Sequence, residues 1–588
     1  MDLLSNSLPL LSHNAGPPAR PLLRPLWEWV AQLRELQHLY ERHCHLAGRE
    51  FIDQLLRDLH ITVEYDAAEL RRVPVQGAFV AVANHPCGIL DGLVLLYVLS
   101  EVRPEFVVVA NELLAPLLAN LPEQLALVST EKKDAGRNAS KVRQLLRYLH
   151  NDIPVGLFPA GEVAHRTAPF RPLLDRDWNP TAGRLLEAAR VPVLPVWLSG
   201  KNSTSFSLLG LVHPLLRTAR LPAELLNKRG QTVRLRIGKP VPASELAAVP
   251  ATDRLLYLRA RVYALDASLA AGARPLLPVL PPAALVPETP AAALEADIDA
   301  LRPSRCLVRC QQWEVYVAKK AELPHILPEI GRLRELTFRG VGEGTNRPAD
   351  LDQYDDYYRH LFLYDRARRC IVGAYRIGRG RSIMRELGKR GFYLHSLFRM
   401  RKQLAPLLRE SLELGRSFVR AEYQKQPLPL ALLWSGIAEY IARHPEYRYL
   451  IGPVSISNRF SALSKEVMVA YLQQHFSDAS LAALVRPRKQ FRYRPLADTA
   501  SPAVLQMGLH TLHDLHRLIA ELEPGGSGLP VLLRQYLRQN ARIIGFNLDP
   551  GFNNTLDGFM VLDARELPAR THDLLSRYAP ELPGAEAE

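Results

Sequence analysis

Two α/β domains in tandem are what this sequence predicts, and three observations carry that expectation. At 588 residues the chain exceeds what one hydrophobic core normally serves. Short apolar runs of strand length alternate with helical patterns in both halves. Between the halves lies a stretch rich in proline and nearly free of charge.

Taken in order, residues 1–60 read as an N-terminal helical segment and 61–270 as the first α/β domain. Its strand candidates are Ala78–Ala83, Phe106–Ala110, Val155–Phe158 and Val191–Leu198, interleaved with helical patterns at Ala139–His150 and Ala182–Ala189. Within AGARPLLPVLPPAALVPETPAAA, residues 271–293, six prolines favour an extended spacer, so 271–300 reads as a linker. Residues 301–588 form the second domain. Strands are expected at Trp313–Ala318, His360–Tyr364, Cys370–Arg376, Ser417–Ala421 and Tyr449–Ile456, with helices at Leu323–Phe338, Leu428–Ala442 and Leu463–His475. No fixed-period repeat relates the halves.

With 47% hydrophobic and 23% charged residues, the chain can bury such cores and is not of disordered composition. No apolar run reaches the roughly 18 uncharged residues of a spanning helix. The N-terminus has neither a basic start nor a small-residue cleavage pattern, so a cytoplasmic protein is expected. Its five cysteines are scattered, and Cys306-x-x-x-Cys310 has no second pair to complete a metal site; all read as reduced thiols, with no metal and no cofactor. The net charge of +14 is uneven: residues 1–300 hold 32 Lys+Arg against 30 Asp+Glu, and residues 301–588 hold 42 against 30. The excess is densest from Arg376 to Lys402 and from Arg486 to Arg494. It reads either as a solvated face or as a docking surface for something acidic. Nucleic acid is disfavoured, because the arginine clusters lack interleaved stacking aromatics.

In the first half, a buried strand runs into Asn84-His85-Pro86-Cys87-Gly88-Ile89-Leu90-Asp91. A second ends in Phe158-Pro159-Ala160-Gly161-Glu162, and a third ends in Trp197-Leu198-Ser199-Gly200. A His and a carboxylate delivered past a strand end can serve as a base and its orienting partner; the plain alternative is a turn His and a helix-capping Asp. In this order the segments resemble the glycerolipid acyltransferase family, over roughly residues 70–245. The resemblance implies that His85 is the base on an acceptor hydroxyl and that Asp91 is its partner. It also places Asn84, Phe158, Pro159, Gly161 and Glu162 at the substrate. Five residues separate His85 from Asp91 where the family has four, so the Pro86-Cys87-Gly88 turn is expected to absorb the extra one. Ala160 and Glu162 replace the Glu and Thr of the family's phosphate-handling block. Glu162 would repel a phosphate, or else simply brace its loop.

In the second half, Arg334-x-x-x-Phe338 is followed by Asp350-Leu-Asp352-Gln-Tyr-Asp355, then Arg376 at a strand end, then Glu413-Leu-Gly-Arg416. Each alone is an ordinary charged feature. Together they resemble the ornithine-acyl transferases and acyl-homoserine-lactone synthases of the GNAT fold, over most of 305–565. The resemblance implies a catalytic Glu413 and substrate-binding Arg334, Asp352, Asp355, Arg376 and Arg416. Gln424-Lys425-Gln426-Pro427-Leu428-Pro429 has none of the glycines with which GNAT enzymes cradle coenzyme A. That favours acyl carrier protein as donor, its acidic surface meeting the basic half.

The tandem order resembles the bifunctional ornithine-lipid synthases: an N-terminal glycerolipid-acyltransferase-type α/β domain plus a C-terminal GNAT-like α/β domain. By that resemblance the second half N-acylates an amino acid, ornithine or else glycine, serine or lysine, with a 3-hydroxyacyl group. The first half then esterifies the new hydroxyl. The work would be done at the inner face of an anionic membrane, by a peripheral protein. Two alternatives stay open: a lysophospholipid acyltransferase in which only the first half is catalytic, and a second half that merely recruits carrier protein or membrane.

Overall fold

The computed structural model describes residues 33–112, 120–128, 135–165, 175–206, 214–272, 283–492, 502–523 and 526–568. The chain divides into two compact units. One is Met1–Gly272 with Pro495–Asp514, and the other is Ala273–Arg494 with Leu515–Glu588.

The first unit holds a seven-stranded sheet: β1 (Thr62–Glu64), β2 (Val80–Ala83), β3 (Val107–Asn111), β4 (Leu125–Val128), β5 (Val155–Leu157), β6 (Val193–Leu198) and β7 (Thr232–Ile237), in the order β1-β7-β6-β2-β5-β3-β4. From β6 to β4 the pairing is parallel, and β7 is antiparallel to β6. β2 and β6 are buried along their whole length, which is why they read as unbroken apolar runs. The helix Gly48–Asp58 sends Phe51, Ile52, Leu55 and Leu56 into the same core, as the helix Ile89–Leu99 does Leu90, Leu93 and Val94. The first core therefore reaches upstream of residue 61, and the described part of 1–60 is not a separate segment; residues 1–32 lie outside the described residues. Pro495–Asp514 also belongs to this unit, although its sequence position assigned it to the second domain.

The second unit is built on an eight-stranded sheet: β8 (Cys306–Cys310), β9 (Trp313–Lys319), β10 (Arg359–Asp365), β11 (Cys370–Arg379), β13 (Ser411–Val419), β14 (Tyr449–Ile456), β16 (Arg542–Asp549) and β17 (Thr555–Asp563). A separate two-stranded ribbon pairs β12 (Phe398–Met400) with β15 (Val485–Pro487). The large sheet runs β16-β17-β14-β13-β11-β10-β9-β8 and is antiparallel except between β13 and β14. Those two pair only from Ser411 to Glu413 against Tyr449 to Ile451, and no ladder joins them further on. At that point Gly452 lies so close to the Leu414 carbonyl that a Cβ would come within 2.1 Å of its oxygen.

Two expectations are corrected here. Ala291–Leu301 is a helix that buries Leu294, Ile298 and Leu301 in the second unit's core, so the end of the expected linker is part of a domain. Ala283 and Val286 also bond to the backbone of Asn346 and Pro348 in that unit, while residues 273–282 lie outside the described ones. The strand expected at Ser417–Ala421 runs instead from Ser411 to Val419, with Glu413 and Arg416 inside it.

Candidate active sites

Because β2, β5 and β6 are parallel, their carboxyl ends share one edge of the first sheet, and the three polar segments noted in the sequence follow those ends. His85 Nδ1 lies 2.9 Å from Asp91 Oδ2. Asp91 is fully buried in the first turn of the helix Ile89–Leu99, where the helix dipole favours a carboxylate. The same Oδ2 accepts from the backbone N–H groups of Cys87 at 2.7 Å and Gly88 at 2.8 Å. Gly88 absorbs the extra residue of the turn by taking φ of +87°. A carboxylate at Nδ1 holds the proton there and leaves Nε2 as the basic nitrogen. The Phe158 ring stacks on the imidazole, centroids 4.1 Å apart and planes 18° from parallel.

The backbone of His85 is held as firmly as its ring. Its N–H donates to Asp175 Oδ1 at 3.1 Å, and its carbonyl accepts from Ala164 N–H at 2.8 Å. Asp175 is itself buried, which raises its pKa; it takes Trp178 Nε1–H at 3.3 Å, its own N–H donates to the Tyr263 hydroxyl oxygen at 2.9 Å, and Arg259 donates to its carbonyl. Asp175 was missed in the sequence, since nothing in the motif points ninety residues downstream.

Four of the expected substrate contacts have other tasks. Asn84 Nδ2–H donates to the Leu198 carbonyl at 2.8 Å and its Oδ1 accepts from Leu198 N–H at 2.7 Å, so the side-chain amide extends the β2–β6 ladder and is spent on it. Glu162 is ion-paired with Arg176 at 3.1 Å, which offsets the charge expected to repel phosphate and ties down the loop. Pro159 and Gly161 shape the turn after β5: Gly161 N–H reaches the Phe158 carbonyl at 3.0 Å, and the Pro159 carbonyl accepts from Asn179 N–H at 2.8 Å.

In the second unit the charged residues of the motif converge into one chain of ion pairs. Arg334 Nη1–H donates to Asp355 Oδ1 at 2.8 Å; Arg376 Nη1 lies 3.3 Å from the same oxygen and 2.5 Å from Asp352 Oδ1. Arg416 bridges Asp352 Oδ2 at 3.3 Å and Asp350 Oδ2 at 2.9 Å. Although burial works the other way, the guanidinium groups of Arg334 and Arg376 hold the Asp355 carboxyl well below the usual range. Burial, with Arg334 nearby, lowers His360 to about 4, so that it is neutral in this network. Tyr354, Tyr358 and Tyr393 face Arg376 with ring centroids at 5.4, 5.4 and 5.7 Å.

Arg416 and Asp350–Asp352 line a cavity of about 480 Å³, whose other walls come from Thr345 and Arg347, from Tyr393, Ser396 and Leu397, from Arg488–Lys489 and from Asn547–Phe552. Arg334, Asp355, Arg376 and Glu413 do not line it. Glu413, expected to be catalytic, is 1% exposed. It accepts from the Tyr358 hydroxyl, from Tyr393 N–H at 3.0 Å and from Leu394 N–H at 2.7 Å. Its carboxylate thus caps the short helix Tyr393–Leu397 and positions a cavity wall, rather than facing the cavity. Burial pushes it up to about 6. Two carboxylates outside the expected set also stand out. Asp549 lines the cavity, and Asp557, buried beneath with Ser455 Oγ–H donating at 2.7 Å, is pushed by burial up to about 8.

The fold and the two constellations define an enzyme made of two different α/β transferase domains in series. Residues 11–272 match the acyltransferase family and residues 333–435 match the acetyltransferase (GNAT) domain. The chain carries an acyltransferase domain followed by a GNAT-like domain, and it is an acyltransferase. Among its curated relatives is a glycine N(alpha)-acyltransferase of Phocaeicola vulgatus, 27% identical over 270 residues, covering 43% of this chain and 81% of the relative. The same-named protein of Bacteroides thetaiotaomicron is 30% identical over 176 residues, 28% of this chain and 52% of the relative. A lyso-glycine lipid O-acyltransferase of Bacteroides thetaiotaomicron is 27% identical over 226 residues, 36% of this chain and 80% of the relative.

Proposed function

We propose that this chain makes a diacylated amino-acid lipid, its second unit N-acylating the amino acid and its first unit then O-acylating the product. The observation that carries this reading is the presence of two transferase domains in a chain whose relatives bear the names of an N-acylation and an O-acylation step. Those names favour glycine as acceptor over ornithine. In the first step the acceptor's ammonium group releases one proton to solvent and the resulting amine attacks the carbonyl of a 3-hydroxyacyl thioester; the C–N bond forms, the C–S bond breaks, and a second nitrogen proton ends on the departing thiolate. In the second, His85 Nε2 takes the proton of the 3-hydroxyl as its oxygen attacks a second thioester. His85 then returns that proton to the leaving sulfur, while Asp91 holds the ring.

Acyl carrier protein is the donor in this reading, and the chain works as a peripheral protein on the inner face of an anionic membrane. Supporting both partners, Arg381, Arg385, Arg390, Arg399, Arg401 and Lys402 are exposed. On the ribbon, Arg399 sits directly across from Arg486, a like-charge pair that an acidic partner would relieve. Among the described residues, no helix is long and apolar enough to cross a membrane.

Lipid mass spectrometry of a host expressing the chain tests the reading. Wild type should yield the diacylated lipid and His85→Ala the N-acyl amino acid alone. A host in which neither species appears, or in which only phospholipid acylation changes, overturns it.

A further inference from the structure

Of the seven charges of the second-unit motif, Glu413 is held by Tyr358, Tyr393 and Leu394, and the other six leave nothing over for a substrate. Arg334, Arg376 and Arg416 are matched by Asp350, Asp352 and Asp355, every one paired within the set. Unmatched charges stand elsewhere on the same cavity, the exposed Arg347 among them. Arg488 Nε–H donates to the His395 carbonyl at 2.8 Å, and Lys489 Nζ–H donates to Asn554 Oδ1 at 2.7 Å; both acceptors are neutral, and neither cation has an acidic partner among the described residues. Asp549 is 7% exposed and receives only neutral donors, the Tyr393 hydroxyl at 2.9 Å and Gly551 N–H at 2.8 Å. All three line the cavity. They are also neighbours: Lys489 N–H donates to Asn547 Oδ1 at 2.8 Å, and its carbonyl accepts from the N–H of Leu548, the residue before Asp549, at 2.9 Å.

A buried carboxylate without a cation, beside exposed cations without a carboxylate, complements a zwitterion. We infer that Arg488 and Lys489 take the α-carboxylate of a free amino acid and that Asp549 takes its ammonium group. The motif arginines and aspartates then build the wall behind. The inference rests on the proposal that this unit acylates an amino acid. The subsite's ligand is an unesterified α-amino acid; an amide or ester of it should be a poor acceptor. The other anion that could meet Arg488 and Lys489 is the phosphate on the donor's pantetheine arm, and the test separates the two.

The full chain is assayed with 3-hydroxyacyl carrier protein as donor and with glycine or glycinamide as acceptor, N-acyl products being read by mass spectrometry. Wild type should prefer glycine. Arg488→Gln and Lys489→Gln, singly and together, should reduce the ratio of kcat/KM for glycine to that for glycinamide, by roughly 10- to 100-fold in the double variant. Arg488→Lys should keep most of it. Asp549→Asn should raise KM for both acceptors and leave their ratio unchanged, since both carry the ammonium. An unchanged ratio in the double variant with a raised KM for the donor assigns the cations to the donor phosphate and overturns the inference. Wild type that acylates neither acceptor overturns instead the proposed function on which it rests.

Discussion

Asp91 holds His85 Nδ1 at 2.9 Å across a turn one residue longer than the acyltransferase pattern, and the turn's own backbone N–H groups bond to the same carboxylate oxygen. Orientation of the imidazole and folding of the turn are therefore one interaction. Asp91→Asn should lower the O-acylation rate on the order of 100-fold or more, with N-acylation unaffected. Initial rates of each step in the purified chain measure this, and full O-acylation by the Asp91→Asn variant would show that the ring needs no carboxylate.

Gly88 is the hinge of that turn. At φ of +87°, with a Cβ falling 2.7 Å from Leu221 Cδ2, Gly88→Ala should cost about 1–3 kcal/mol and displace His85 from Asp91. Chemical denaturation and the O-acylation rate should fall together. Loss of stability with a normal rate would mean that the pair tolerates a remodelled turn.

Glu413 satisfies three buried donors, so Glu413→Ala should destabilise the chain by about 3 kcal/mol and Glu413→Gln by less, since the amide keeps one acceptor oxygen. Urea titrations decide. A Glu413→Gln variant of native stability that makes no N-acyl product would return the carboxylate to a role on the substrate itself.

Asp557, raised by burial from 3.8 to about 8, gives a stability contribution that is full below its unfolded pKa and is lost as pH rises through about 8. Between those limits the folded chain binds a proton that the unfolded chain has released. Wild type should lose up to about 1.4 kcal/mol per pH unit over this window on account of the group. Asp557→Asn should flatten that slope, and parallel pH profiles for the two proteins would rule out the raised pKa.

The like-charged pair Arg399 and Arg486 should mark the docking face. At low salt the chain should sediment with vesicles containing anionic lipid and release at high salt. The double variant Arg399→Glu/Arg486→Glu should weaken binding by at least about tenfold, at roughly 1 kcal/mol for each basic residue lost. Equal sedimentation of variant and wild type, with binding to carrier protein lost, would assign the face to the donor.

Much of the architecture was legible because it rests on local pattern. β2 and β6 announce themselves as unbroken apolar runs, since parallel strands covered on both faces need no polar alternation. The sequence places β13 at Ser417–Ala421, whereas the strand begins at Ser411 and carries Glu413 and Arg416 inside it. Only the Tyr393 and Leu394 amides and the aspartates of 350–352, brought from elsewhere in the chain, let them lie in a strand.

Two α/β halves, the His85–Asp91 pair and the charged set around Arg376 follow from the amino-acid order alone, because each is written in short-range spacing and residue type. What those residues face depends on the folded chain. Folding spends Asn84 on the β6 backbone, matches three motif arginines to three motif aspartates, sets Asp175 under His85, and brings Asp549 beside Lys489. A polar side chain acts on a ligand only when no nearer partner has claimed it, and those partners lie up to a hundred or more residues away along the chain, where spacing carries no signal.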